Sequence, residues 1–213
     1  MSDQPTSAEA PRMIDLEPVA RRVAVLAEGV GDDQLGGPTP CPAYAVRNIL
    51  GHLIGLSAAF RDAGRKELGA STGTDPSSVV PDIDDEGPWR AQLPKVLDEL
   101  AATWRDPGAW EGMTQAGGLT FPAVEAGRVA LNELLVHGWD LARATGQPWS
   151  PPAEAAEESL EFAPGMLTPD YQGDGKAFAP RVPVPASAPA LDRLLGLSGR
   201  DPGWPALTQE DPA

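Results

Sequence analysis

The sequence is poor in several residue types, and each shortage excludes something. Its 213 residues contain one cysteine, Cys41, two histidines, His52 and His137, and three lysines. A lone cysteine excludes an internal disulfide and any C-x-x-C redox or zinc motif, and fits a reducing cytoplasm. Basic residues number 16 against 31 acidic ones, a formal charge of −15. Without a basic surface, neither nucleic acid nor an anionic membrane is an expected partner. No apolar run approaches the roughly 20 residues of a membrane helix. The opening MSDQPTSAEAPRM has no basic region leading into an apolar stretch, so no signal peptide is expected. There is no glycine-rich phosphate loop, no G-x-S-x-G elbow, no internal repeat and no sustained heptad pattern.

At 41% hydrophobic residues the chain can bury a core, and its length suits one large domain or a domain with an appendage. Arginine outnumbers lysine 13 to 3, and Ala, Gly and Pro are abundant, a usage typical of GC-rich genomes. The 47 glycines and prolines gather between periodic segments and punctuate them.

Those periodic segments read as helices. Ile14, Leu16, Val19, Val23, Leu26 and Val30 recur mostly at three- and four-residue steps and predict an amphipathic helix over 13–30. Val46, Ile49, Leu50, Leu53, Ile54 and Phe60 predict a second over 44–68, with His52 beside its apolar stripe. The next 20 or so residues lack periodicity; in a four-helix bundle such a crossover lets consecutive helices run parallel. Leu93, Val96, Leu97 and Leu100 predict a third helix over 89–104. RDPGAWEGMTQAGG reads as a loop or short hairpin. A fourth helix is expected after Thr120 as N-cap, with Pro122 in its first turn, ending at Gly146. Beyond Gln147, an acidic helix ending near Pro164 or Met166 and a short helix carrying Leu191, Leu194, Leu195 and Leu197 are expected; the proline-spaced valines between them cannot form a central strand.

Both histidines fall on candidate core helices. Glu133 and His137, four residues apart, share one helix face, and His52 can join them if its helix packs there. Three N/O donors from two helices suit a borderline divalent cation such as zinc, with one position open. The flanking Val129, Ala130, Leu134, Val136 and Leu141 are apolar, and a buried carboxylate without a partner is costly; a cation would remove that cost. The residues alone leave a second reading open, in which the histidines are hydrogen-bonded core residues and Glu133 pairs with an arginine such as Arg128. Cys41, near a helix start, reads as a small structural thiol rather than a nucleophile. Asp140 could orient His137 as a supporting carboxylate, but an Asp140–Arg143 ion pair at i, i+3 is the favoured expectation. The run AEAAEESLE reads as a solvated helix face, and the six tryptophans as core or rim.

Two segments carry a family resemblance. TPCPAYAVRNILGHLIG resembles the first-histidine motif, and LNELLVHGWDLARATGQPW the second motif, of the actinobacterial DinB-like proteins that include the mycothiol-dependent maleylpyruvate isomerase N-terminal domain. FAPRVPVPASAPALDRLLGLSGRDPGW is similar to the C-terminal signature of an uncharacterised metal-binding branch. The resemblance covers about residues 13 to 204. It implies an all-α fold: a DinB-like four-helix bundle with a long crossover between helices 2 and 3 and a short helical C-terminal appendage. The expected organisation is a disordered N-terminus at 1–10, the bundle at 11–146 and the appendage at 147–213. It also implies a divalent metal, zinc by donor type, held by His52, Glu133 and His137, with mycothiol as thiol cosubstrate. In one respect the chain departs from the family, whose isomerases carry a larger C-terminal domain supplying an arginine to the active site. Here the tail is short, and Arg181, Arg193 and Arg200 have no assigned counterpart.

The functional expectation is a cytoplasmic, metal-dependent S-transferase or isomerase, monomeric or homodimeric, that activates a small thiol toward an electrophile. The acidic surface disfavours a dicarboxylate substrate. The alternative is a non-catalytic metal-binding or interaction protein whose metal is structural. A metal-dependent hydrolase is a weaker third reading, because no general base beyond the three ligands stands out.

Overall fold

Wherever apolar residues recur at three- and four-residue steps, the chain is helical and buries that stripe. A computed structural model describes residues 13–83, 88–167 and 178–206; the disorder expected for residues 1–10 lies outside them. Helix α1 (Glu17–Glu28) buries Val19, Val23 and Leu26. Helix α2 (Val46–Arg65) buries Ile49, Leu50, Leu53, Leu56 and Phe60. A single turn, α3 (Ala70–Gly73), interrupts the crossover. Helix α4 (Trp89–Thr103) buries Leu93, Val96, Leu97 and Leu100. Leu50, Leu53, Leu93 and Leu100 are fully buried, and each such side chain contributes about 1.5–3 kcal/mol relative to exposure.

The segment after α4 is a hairpin, resolving the choice left by the sequence. Strands β1 (Met113–Ala116) and β2 (Leu119–Pro122) pair antiparallel through a two-residue Gly117–Gly118 turn. This corrects one expectation: Thr120 lies within β2, and Pro122 is the residue that precedes α5 (Ala123–Ala144). A strand-forming Leu-Thr-Phe run outweighs the local capping preference of threonine, because the cap side chain would have to leave the ladder. The other end of α5 is as expected. Gly146 adopts φ +68°, and the Gln147 N–H donates to the Ala142 carbonyl at 2.9 Å.

Helices α1, α2, α4 and α5 pack together as the bundle: α2 lies against α4 and α5, and α1 against the same two. The crossover makes α2 and α4 parallel. It returns along α2, where Arg47 pairs with Asp82 at 2.6 Å and Asn48 Nδ2 donates to the Pro81 carbonyl at 2.8 Å. Near the other ends of these helices, Arg61 meets Glu99 and Trp104 Nε1 donates to the Phe60 carbonyl. Gly51 permits this return, since a Cβ there would lie 2.4 Å from the Asp82 backbone.

Helices α6 (Ala153–Met166) and α7 (Ala190–Leu197) follow, with α6 packed on both α5 and α7. Helix α6 covers the side of α5 that the bundle leaves open, so α5 is buried nearly all round. The AEAAEESLE run has a solvated face, with Glu154, Glu157 and Glu161 exposed. Its other side, with Ala155, Ala156, Glu158 and Ser159, is buried, and there Arg128 of α5 meets Glu158 at 3.3 Å. Among the described residues, no helix is long and apolar enough to cross a membrane.

Candidate metal centre

The bundle brings the two histidine-bearing helices together. His52 on α2 and His137 on α5 have ring centroids 4.6 Å apart, nearly perpendicular at 80°. Glu133, one turn before His137, lies between them. Its Oε2 is 3.2 Å from His52 Nε2 and 3.2 Å from His137 Nε2. One potential ligand atom from each of the three lies within 4.8 Å of the others. Tyr44, just before α2, packs its ring 5.7 Å from that of His52.

The alternative partner for Glu133 is absent here. Arg128 turns outward to Glu158 on α6, as described above, and among the described residues Glu133 makes its ion-pair contacts with the two imidazoles. Small residues adjoin both histidines. Gly51 precedes His52 and admits the crossover; Gly138 follows His137 and admits Trp149, whose ring a Cβ would approach to 2.4 Å.

The protonation chemistry is strained without a cation. Burial alone would raise the pKa of Glu133, but His137 and then His52 outweigh it, and its carboxyl stays well below the ordinary carboxylate range. Burial, and then the nearby His137, push His52 below its ordinary value. Burial also opposes charge on His137, but the hydrogen bond to Asp140 and the nearby carboxylates of Glu133 and Asp140 prevail and its pKa is raised. His137 is completely buried, and its Nε2 makes no hydrogen bond despite lying near the Glu133 oxygen. A buried imidazole nitrogen beside a carboxylate, with no hydrogen bond between them, has the donor arrangement of a metal-ligand set. Two imidazoles and a carboxylate fit a zinc-type cation with a fourth position open. His52 and Glu133 side chains retain 12% and 11% exposure while His137 has none, so solvent reaches the cluster from the His52–Glu133 edge.

Behind His137 stands a second layer that the sequence assigned otherwise. Asp140 Oδ2 is 3.0 Å from His137 Nδ1. Asp140 does not pair with Arg143. It accepts from Arg200, with Nη2–Oδ2 at 2.7 Å and Nε–Oδ1 at 3.2 Å. Arg143 instead donates to the Pro202 carbonyl at 3.0 Å and lies over Trp139. The i, i+3 expectation fails because Asp140 points to the interior, where a long-range arginine reaches it. Burial opposes the charge of Asp140, but Arg200 and then His137 hold its carboxyl below the usual range. Arg200 was one of three tail arginines without a role; its only sequence signal is a position just beyond an apolar helix. Arg181 and Arg193 lie elsewhere, lining a cavity of about 350 Å³ with Leu160, Val182, Val184 and Leu197. That cavity lies beside α6, and none of the three candidate ligands lines it. Cys41 is fully buried, in line with a structural thiol.

Comparison with known proteins agrees with this architecture. Over 92% of this chain and 95% of the other, the fold matches the crystal structure of a mycothiol-dependent maleylpyruvate isomerase, with TM-score 0.56 and 16% identity. The match runs through nearly all of both chains. An uncharacterized protein of Mycobacterium tuberculosis is 32% identical over 183 residues, 83% of this chain and 91% of its own length. A second from that organism is 27% identical over 210 residues, covering 91% and 76%. Residues 16–142 match the mycothiol maleylpyruvate isomerase N-terminal domain, and the chain belongs to that family.

Proposed function

We propose that this protein is a cytoplasmic enzyme that binds a divalent cation, zinc by donor type, through His52, Glu133 and His137, and uses it to activate a low-molecular-weight thiol. The observation that carries the reading is the unbonded, fully buried Nε2 of His137 set beside the Glu133 carboxylate and His52. Family membership supports the thiol, and mycothiol is the natural candidate. When bound, the cation would lower the thiol pKa and supply a thiolate at neutral pH.

Charge balance favours that cosubstrate. Glu133, Asp140 and Arg200 together leave one buried negative charge when His52 and His137 are neutral. A divalent cation converts this to one positive charge, which a monoanionic thiolate neutralises, so the site would discriminate against neutral ligands. Glu133 and the histidines act as ligands in this scheme and as no general base. The sulfur would form a bond to an electrophilic carbon. Where the carbon bears a leaving group such as chloride, that group departs with its bonding electrons and the thioether is the S-transfer product. Where the carbon belongs to a conjugated double bond, the π electrons move to the conjugated carbonyl, the former double bond rotates as a single bond, and their return expels the thiolate and gives the isomer. The net charge of −15 repels a dicarboxylate, so a neutral or monoanionic electrophile is the better match.

A structural ion is the second reading, favoured by the depth of the site: Glu133 is 8% exposed and His137 not at all. A thiol-conjugation assay separates the two. With a bimane or chlorodinitrobenzene as electrophile, the metal-loaded protein should accelerate conjugation of added thiol over the chelated protein. Equal rates across a panel of thiols would leave only the structural reading.

A further inference from the structure

The tail is fixed to α5 at two points about one turn apart, and one of them lies directly behind a candidate ligand. Arg200 grips both oxygens of Asp140, and one of those oxygens accepts from Nδ1 of His137. Arg200 is itself restrained: its Nη1 donates to the Ser198 carbonyl at 2.9 Å and its backbone N–H to the Leu195 carbonyl at 2.9 Å. Leu194 and Leu195 of α7 are fully buried beside it. Two residues further on, the Pro202 carbonyl accepts from Arg143. All of Asp140, His137 and Arg200 are shielded from solvent, at 0%, 0% and 1% exposure.

We propose that Asp140 and Arg200 are positioning residues for His137, and that docking of the C-terminal segment and metal binding are therefore one coupled equilibrium. The inference rests on the metal reading above and adds a second requirement to it. With Nδ1–H committed to Asp140, the lone pair of His137 lies on Nε2, directed at Glu133 and His52. A carboxylate behind a ligating imidazole fixes its tautomer and ring plane, and loss of such support costs about 10–100-fold in metal affinity. Asp140 can serve only if it stays ionised and still. Arg200 provides both, as a two-point guanidinium contact in a dry site. The arginine thus acts through Asp140 on a ligand rather than on substrate. Coupling between two equilibria is reciprocal, so whatever factor the docked tail adds to metal affinity, the metal adds to tail docking.

The test uses the full chain, stripped and reloaded with Zn²⁺ or Co²⁺, with affinity measured by competition against a chromophoric chelator. Arg200→Met and Asp140→Asn should each weaken binding about 10–100-fold. Arg200→Lys, which keeps the charge but not the fork, should fall between them and wild type. The double variant should be little worse than either single one, and the Co²⁺ d–d spectrum of the variants should shift. Leu100→Val, a remote core change, should lower thermal stability and leave affinity unchanged. In wild type, metal should slow hydrogen exchange of amides in residues 194–200 by a factor similar to the affinity lost in Arg200→Met, a readout that holds even if that variant does not fold. Wild-type binding with affinity within twofold in folded Arg200→Met or Arg200→Lys, or tail exchange unaffected by metal, overturns the coupling while leaving the metal reading intact. Failure of wild type to bind either ion removes both.

Discussion

Replacing Glu133 by glutamine keeps the size of the side chain and removes its charge from between two imidazoles 3.2 Å away on either side. The metal and ion-pair readings predict opposite results for this change. Zinc held by four donors is worth about 10–16 kcal/mol, so one donor accounts for roughly 3–4 kcal/mol, or two to three decades in Kd. At free metal about 100-fold above Kd, wild type gains about 2.7 kcal/mol of stability. For a chain this long that is a rise of about 5–11 °C in Tm, at about 2–4 °C per kcal/mol. Glu133→Gln at the same free metal should gain less than about 0.5 kcal/mol, a shift within about 2 °C. In chelator the two proteins should melt within about 3 °C, because the new amide can donate to one of the buried imidazoles. If Glu133 served only as a buried ion-pair partner, its loss would instead cost about 3–5 kcal/mol with or without metal. Differential scanning fluorimetry with and without zinc, after chelation, separates the cases. A chelated variant that melts about 6–20 °C below chelated wild type, with no metal-dependent shift in either protein, refutes the reasoning.

Metal affinity should also depend on pH with a definite sign. A ligand must shed its proton to bind, and the pKa of His137 is raised above the ordinary imidazole value while that of His52 is lowered. Apparent zinc affinity should therefore be full above the raised value of His137 and fall about tenfold per pH unit below it, starting above pH ~6.5. A chelator-competition profile that stays flat from about pH 7.5 to 6 would contradict this. Gly51→Ala should force the crossover off α2, since its Cβ would lie 2.4–2.6 Å from backbone atoms of Asp82. The expected cost is about 1–3 kcal/mol, read as a lower urea midpoint, with faster hydrogen exchange at the Asp82 and Ile83 amides; an unchanged midpoint would show that the crossover yields freely.

Four helices, their buried stripes and the pairing of Glu133 with His137 were legible in the sequence, because each follows from local spacing. A helix period places Glu133 one turn before His137, whatever lies around them, and the apolar steps of α2 and α5 require both to face a core. The start of α5 was misplaced for the same reason: Thr120 has the chemistry of a cap, but pairing across the hairpin with Gln115 claimed it for a strand. The likeness to a known family located His52 relative to the pair, which spacing alone could not do.

What surrounds the ligands was decided only by tertiary packing. The sequence offers Asp140 an arginine three residues away and another sixty away, and local reasoning takes the near one. In the folded chain α6 packs on α5 and α7 packs on α6, Asp140 points inward, and Arg143 reaches the Pro202 carbonyl. Arg200 reaches the buried carboxylate because the apolar face of α7 delivers it there, and the loss of water makes that contact strong. Periodicity determines which face of each helix is apolar, and so it determined the bundle and the shared face of Glu133 and His137. Which charges meet across sixty residues depends on how those faces stack, which no local pattern encodes.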